Sequence, residues 1–216
     1  MFCGEKVALR ARIESDVAVL HAELYDDVMT RLQADTRPWR ALAPGSALAP
    51  FAMADPTDDS VAFSVVELVD GEPLAGAAVL HGIDQHNRSA HLGITLRPAY
   101  RDRGLGLDTV RVLCDYGFRI RGLHRLAIET LSDNGAMLRT SDNAGFVREG
   151  ALRQAAWVSG RFLDVVLLGL LAEEWNAARN VRRRSFSAAQ ASGVSVVLPK
   201  VRRKVVVIQI SQRRRG

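Results

Sequence analysis

The sequence predicts an α+β domain, a central mixed and mostly antiparallel sheet flanked by helices, and three patterns predict it. Val61–Val69 and Pro73–Leu80 are β-prone apolar runs joined through Asp70-Gly71, which is hairpin chemistry. Ala90–Leu96, a Gly-containing loop, a helix over Gly106–Ile120 and a strand at Arg125–Leu131 make a β-loop-α-β unit. Phe146–Glu149, Ala155–Val158 and Asp164–Leu170 then read as three further strands.

The remaining elements follow from spacing. Val7–Arg10 is a short strand. Val17, Leu20, Leu24 and Val28 recur every three or four residues, which predicts a helix over Glu14–Asp27. Residues 35–59 are rich in Pro, Ala, Gly and Asp and form a long loop, a kind of segment that often carries function. In the second helix Leu107, Val110, Leu113, Cys114 and Phe118 trace one apolar face. A short helix at Ala136–Ala144 stops at Gly145, and apolar patterning ends by Trp175.

Composition is that of a globular protein, with 48% hydrophobic and 25% charged residues in a chain of 216. Charge divides the chain. Of 29 Lys and Arg, 11 lie in residues 177–216 together with none of the 24 acidic residues, which leaves residues 1–176 at a net charge of −6. The expected organisation is a domain over 1–176 and a basic, poorly structured tail over 177–216. Such a tail attracts phosphate and makes ribosome or RNA contact a candidate role. No apolar run approaches the ~20 residues of a membrane helix. MFCGEKVALR lacks the apolar core of a signal peptide, and a cytoplasmic location with no membrane partner is expected. Cys3 and Cys114 have no metal-like spacing, the histidines show no ligand pairing, and no metal is expected.

The chemistry concentrates in Ala90–Gly106. A strand runs into a basic loop with Arg101, Arg103, Gly104 and Gly106, and a helix begins at once. A helix N-terminus offers unpaired N–H groups and partial positive charge, and glycine lets that backbone approach an anion. The result is a phosphate or pyrophosphate cradle. A Walker loop is excluded because no Gly-Lys-Ser/Thr follows, and the dinucleotide fingerprint lacks its third glycine.

Arg101-x-x-Gly104-x-Gly106 resembles the acetyl-CoA motif (Gln/Arg)-x-x-Gly-x-(Gly/Ala) of the GNAT acetyltransferases. Asn134, Ala136 and Gly145-Phe146-Val147-Arg148-Glu149-Gly150, with Trp157, Gly160-Arg161, Asp164 and Glu174-Trp175, are similar to the RimJ/RimL-like branch, which acetylates protein N-termini and small amines. The resemblance covers residues 5–176. It implies a GNAT fold, a sheet of about seven strands splayed between the fourth and fifth. It implies an acetyl-CoA-dependent N-acetyltransferase that acts by direct attack of an amine acceptor, with a homodimer as a common assembly of the branch. Arg101, Arg103, Gly104, Leu105, Gly106 and Leu107 would hold the pyrophosphate, Ile94, Thr95 and Leu96 would pair with the pantetheine arm, and Asn134 would contact that arm further on.

The catalytic groups depart from the family pattern. The position of the usual Tyr acid is Ser141, and a Ser common in the branch is Met137. His91 stands where relatives often carry Glu. Alternation puts His91, Gly93 and Thr95 on one face, and histidine is a suitable base near neutrality. It is the leading catalytic candidate, the other reading being a solvent-facing strand histidine. Ser132 and Tyr100 are weaker candidates. Trp39 and Trp157 could line the acceptor pocket, and Asp35, Asp58 and Asp59 could meet an acceptor's cation. The missing acids leave a second class open, an acyl-CoA-binding module of weak activity.

Overall fold

The computed structural model describes residues 1–34, 37–53 and 57–180. Asp35 and the tail beyond residue 180 lie outside the described residues. Eight strands form one sheet in the order β1-β2-β3-β4-β5-β6-β8-β7. They are β1 Phe2–Cys3, β2 Val7–Arg10, β3 Ser60–Glu67, β4 Leu74–Asp84, β5 Ser89–Leu96, β6 Arg125–Leu131, β7 Val147–Val158 and β8 Arg161–Leu171. Every neighbouring pair is antiparallel except β5 and β6, which are parallel. The two-residue β1 shifts the numbering, so the strands expected to splay are β5 and β6. The helices are α1 Glu14–Leu20, α2 Val28–Ala34, α3 Leu105–Asp115, α4 Gly135–Ala144 and α5 over residues 172–180. None of the described helices is long and apolar enough to cross a membrane.

The core lies mainly on one face of the sheet. There α3, α4 and α5 bury Leu105, Val110, Leu113, Ala144 and Trp175 against strand residues such as Leu126 and Leu168. α3 continues through a π turn at Tyr116–Ile120, and the wider turn brings Gly117 onto the sheet. A Cβ on Gly117 would stand 3.2 Å from Leu126 Cδ1, so the close approach needs glycine. The opposite face is covered by α1 and the π turn that follows it, whose Leu20 and Leu24 pack on Ala77, and by α2, whose Leu32 rests on the cluster of Leu131, Ala156, Val158 and Val165.

Three elements differ from the sequence expectation. The helix expected over Glu14–Asp27 is α1 followed by a π turn at His21–Tyr25, and α2 is an additional helix after it. The strands expected at Phe146–Glu149 and Ala155–Val158 are one strand, β7. Its register with β8 shifts between Leu152 and Ala156, where Gln154 adopts φ 52° and donates its N–H to Asp164 Oδ1 at 2.8 Å. That bulge breaks the alternation of side chains and hides the continuity of the strand. β7 and β8 turn through Ser159-Gly160, both at positive φ, as a two-residue hairpin requires.

Asp16 joins three elements. Its carboxylate accepts Arg10 Nη1 and Nη2 from β2 at 2.6 and 2.8 Å, Ser64 Oγ from β3 at 2.7 Å, and the Ile13 N–H at 3.1 Å. Burial alone would push this carboxyl up, but the hydrogen bonds from Arg10, Ser64 and Ile13 outweigh it and hold it below its ordinary value. Asp16→Asn is therefore expected to lower stability by about 2–3 kcal/mol near neutral pH, because it strands the Arg10 guanidinium. The wild type keeps this contribution above the unfolded carboxylate pKa of ~3.9 and loses it as pH falls through the lower folded value. Denaturant melts of both proteins from pH 7 to pH 2.5 should converge at the acid end.

Candidate functional site

β5 and β6 pair only at Ser89–Arg125, Ala90–Leu126 and His91–Ala127. β5 runs on to Leu96 and β6 to Leu131, so beyond His91 the two strands part and open a gap in the sheet. Ile94, Thr95 and Leu96 line that gap while still paired with β4. Ile94 and Leu96 pack toward α3, which places His91, Gly93 and Thr95 on the α1/α2 face as alternation predicts.

The loop after β5 brings the N-terminus of α3 to the mouth of the gap. Asp102 and Gly104 both sit at positive φ, 57° and 77°, and Gly104 caps α3 in the left-handed region. The backbone N–H groups of Arg103, Gly104, Leu105, Gly106 and Leu107 have no hydrogen-bond partner among the described residues. Five free amides at a helix N-terminus form an anion cradle. Gly106 lies where α3 meets β5 and α4, and a Cβ there would make ordinary contacts, 3.7 Å from Leu96 Cδ1, 3.8 Å from Ile94 Cδ1 and 4.0 Å from Thr140 Oγ1.

A buried carboxylate fixes the first turn of α3. Asp108 accepts the N–H groups of Glu5, Lys6 and Val7 at 3.2, 2.7 and 2.9 Å and so ties the helix to the start of β2. Lys6 Nζ reaches back to the Arg103 carbonyl at 3.1 Å. The loop arginines serve as struts. Arg103 donates to Glu67 at 2.6 Å, and Tyr100 lies between the guanidinium groups of Arg97 and Arg103, 5.2 and 5.5 Å from its ring centre. Arg101 donates to the Leu96 carbonyl at 3.1 Å and to Thr30 Oγ1 on α2 at 3.2 Å. The charges of Arg101 and Arg103 remain beside the cradle, while their side chains brace the loop against β5, α2 and β3.

His91 occupies the vertex of the gap, and its side chain is 42% exposed. Its ring stacks on His81 across β4, with centroids 5.4 Å apart and planes at 25°. Burial, reinforced by neighbouring His91, holds the His81 imidazole below its ordinary value. Beyond β6, Ser132 is exposed, and Asn134 caps α4 by accepting the Met137 N–H on Oδ1 at 3.1 Å. Ser141 is fully buried, and its hydroxyl donates to the Met137 carbonyl at 2.8 Å, so it has no proton to offer a substrate. Trp39 donates its indole N–H to the Tyr25 carbonyl at 3.1 Å on the α1/α2 side. Trp157 is 59% exposed and meets Phe162 edge-on at the tip of the β7–β8 hairpin. The register carries that tip past Leu131, at the open end of the gap and away from His91. Asp58 and Asp59 stay in the exposed loop before β3, where Asp59 accepts the Thr57 hydroxyl at 2.5 Å.

The family model described as Acetyltransferase (GNAT) domain matches residues 6–147. The chain belongs to the GNAT acetyltransferase family. Among GNAT relatives, a putative ribosomal N-acetyltransferase YdaF of Bacillus subtilis is 32% identical over 112 residues, 52% of this chain and 61% of the relative. Spermidine N(1)-acetyltransferase of Vibrio cholerae is 28% identical over 102 residues, 47% of this chain and 59% of the relative. The chain thus spans about three-fifths of the length of these curated relatives. The crystal structure of spermidine N-acetyltransferase from Vibrio cholerae in complex with CoA and spermine shares the GNAT fold. Its TM-score is 0.67 at 20% identity, covering 78% of this chain and 97% of that one.

The parallel break between β5 and β6, the cradle and the vertex histidine fall within the GNAT match. Lys6 and His81 carry no local sequence sign of these roles, and Asp108 only a weak one, because their contacts depend on register and tertiary approach. An acidic residue in the first turn of a basic-looped helix was the available signal for Asp108.

Gly104→Val is expected to weaken CoA binding at least about tenfold, because a β-branched residue at positive φ is strained and distorts the free amides. Gly106→Ala, whose Cβ meets only ordinary contacts, is expected to bind like the wild type. Calorimetric titration of both variants checks the pair.

Proposed function

We propose that this chain is an acetyl-CoA-dependent N-acetyltransferase whose acceptor is a small cationic amine. The observation that carries the reading is the row of five free amides at the mouth of a gap that ends on His91. The cradle fits a pyrophosphate by geometry and charge, and the gap fits an extended arm that pairs with the backbone of Ile94–Leu96. Asn134 stands at the far side of the same mouth and keeps Nδ2 for that arm, while its Oδ1 caps α4. Acetyl-CoA, when bound, supplies the thioester.

His91 takes the proton of the acceptor ammonium. The freed nitrogen pair forms the N–C bond at the thioester carbonyl, the C–S bond breaks, and the departing sulfur takes the second nitrogen proton. His91 then returns its proton to solvent. Positioning does much of the work, so the absence of a Tyr at Ser141 and a Ser at Met137 is compatible with turnover. Trp39, anchored on the segment that covers this face, walls the acceptor side. Trp157 meets the acceptor's distal end, and Ser132 remains a weaker proton donor at the mouth.

The acceptor class follows from charge and kinship. Residues 1–176 carry a net charge of −6 and attract cations. Spermidine N-acetyltransferases recur among the relatives and solved structures. A protein N-terminus is the competing acceptor, favoured by the relative that is a putative ribosomal N-acetyltransferase. The thiols of exposed Cys3 and buried Cys114, in no disulfide, suit a reducing cytoplasm. The basic tail has its own role in holding ribosomal or other RNA, and a second copy of the chain is the assembly expected of the branch.

The test is release of free CoA thiol from acetyl-CoA over a panel of polyamines and N-terminal peptides. Turnover with polyamines and none with peptides supports the reading. Turnover with peptides alone moves the acceptor to protein N-termini, and CoA binding without turnover on any amine makes the chain a binding module. His91→Ala is expected to lower kcat about a hundredfold and to remove the acidic limb of the pH profile. An unchanged profile would return His91 to a surface strand residue.

A further inference from the structure

We infer that Glu129 is a positioning residue for acetyl transfer: it holds His91 with the proton on Nδ1, so that Nε2 faces the acceptor, while His81 braces the ring from behind. The inference rests on the proposed role of His91 as proton acceptor. His91 pairs with Ala127, so Glu129 lies two residues further along β6 on the same face, just past the point where the strands part. Glu129 Oε1 stands 3.6 Å from His91 Nδ1. That is a few tenths of an ångström beyond hydrogen-bond range, and catalytic contacts commonly tighten once substrate is bound. The side chains of His91 and Glu129 are 42% and 51% exposed, so a small rotation closes the contact without repacking.

The cation that shares this face of β6 is engaged by another carboxylate. Arg125 shares the face of β6 but is engaged by Glu149 in a paired contact that crosses β8 over Gly169. A Cβ on Gly169 would stand within 2.7 Å of both Arg125 Nη1 and Glu149 Cδ, so glycine makes room for that pair. With Arg125 held there, Glu129 makes its ion pair with His91. His81 stands directly opposite His91 in the β4–β5 register and covers one side of its ring. Burial and then the nearness of His91 hold His81 below its ordinary value against the opposing pull of Glu129, and Arg37 acts in the lowering direction.

A carboxylate that accepts Nδ1–H selects the tautomer in which Nε2 is the basic nitrogen. The same proton movement as in the proposed reaction follows, from the acceptor nitrogen to Nε2, and Glu129 stays ionised throughout. Its contribution is orientation, which predicts rescue by an uncharged acceptor of the same shape.

The experiment combines ring-nitrogen NMR of 15N-histidine-labelled protein with steady-state kinetics. In the wild type, in alkaline buffer where histidine rings are neutral, the Nδ1–H form of His91 should predominate, and in Glu129→Ala the Nε2–H form should. The same variant should lose about tenfold in kcat with the KM for acetyl-CoA unchanged. Glu129→Gln, whose amide oxygen still accepts from Nδ1, should recover most of the loss and the wild-type tautomer. An identical His91 tautomer in the wild type and Glu129→Ala, or equal kcat in the two, overturns the inference even if His91→Ala is inactive. Full activity in His91→Ala overturns the base assignment itself and this inference with it.

Discussion

The parallel pairing of β5 and β6 ends after three residue pairs, and the rest of the site depends on that early separation. A continuous parallel pair would satisfy the backbone of Ile94–Leu96 within the sheet and leave no channel. By parting at His91, the strands expose main-chain groups to whatever enters and place one side chain at the vertex, on the α1/α2 face. Antiparallel partners hold both strands from outside, β4 on β5 and β8 on β6, so the gap is maintained by the sheet itself.

α3 is the second fixed point. Its N-terminus can leave five amides without a partner among the described residues because the turn is held by other means: the Asp108 carboxylate on three amides of residues 5–7, Lys6 on the Arg103 carbonyl, and the Arg103–Glu67 pair. Unmade hydrogen bonds at a partly exposed helix end cost little while water solvates them, and they are available to an anion at once. Arg101 extends the same scaffold to the other face through Thr30, so the loop beside the cradle and the helix over the His91 face share a strut.

The parts legible in the sequence were those written in local pattern. The β3–β4 hairpin followed from its Asp-Gly turn, α3 from its apolar period, and the cradle from glycines placed between a strand and a helix. What failed locally was decided elsewhere in the chain. β7 read as two strands because Gln154 takes a left-handed conformation, and the bond that secures it comes from Asp164 on the neighbouring strand. α2 escaped notice because its seven residues expose Met29 and depend on Leu32 docking against β6 and β8. The nearness of Glu129 to His91 was illegible for a related reason. Register across a parallel pair, separated in sequence by a whole helix, leaves no trace in spacing.

These observations share one claim, that the gap between β5 and β6 and the N-terminus of α3 together form the channel for a CoA donor. Backbone amide NMR during titration with CoA addresses it most directly. The account predicts that the largest shift changes fall on Arg103–Leu107 and on Ile94–Leu96, with smaller ones at Asn134, and that they saturate together. Changes confined to other surfaces, or a saturating titration that leaves those amides unmoved, would contradict it.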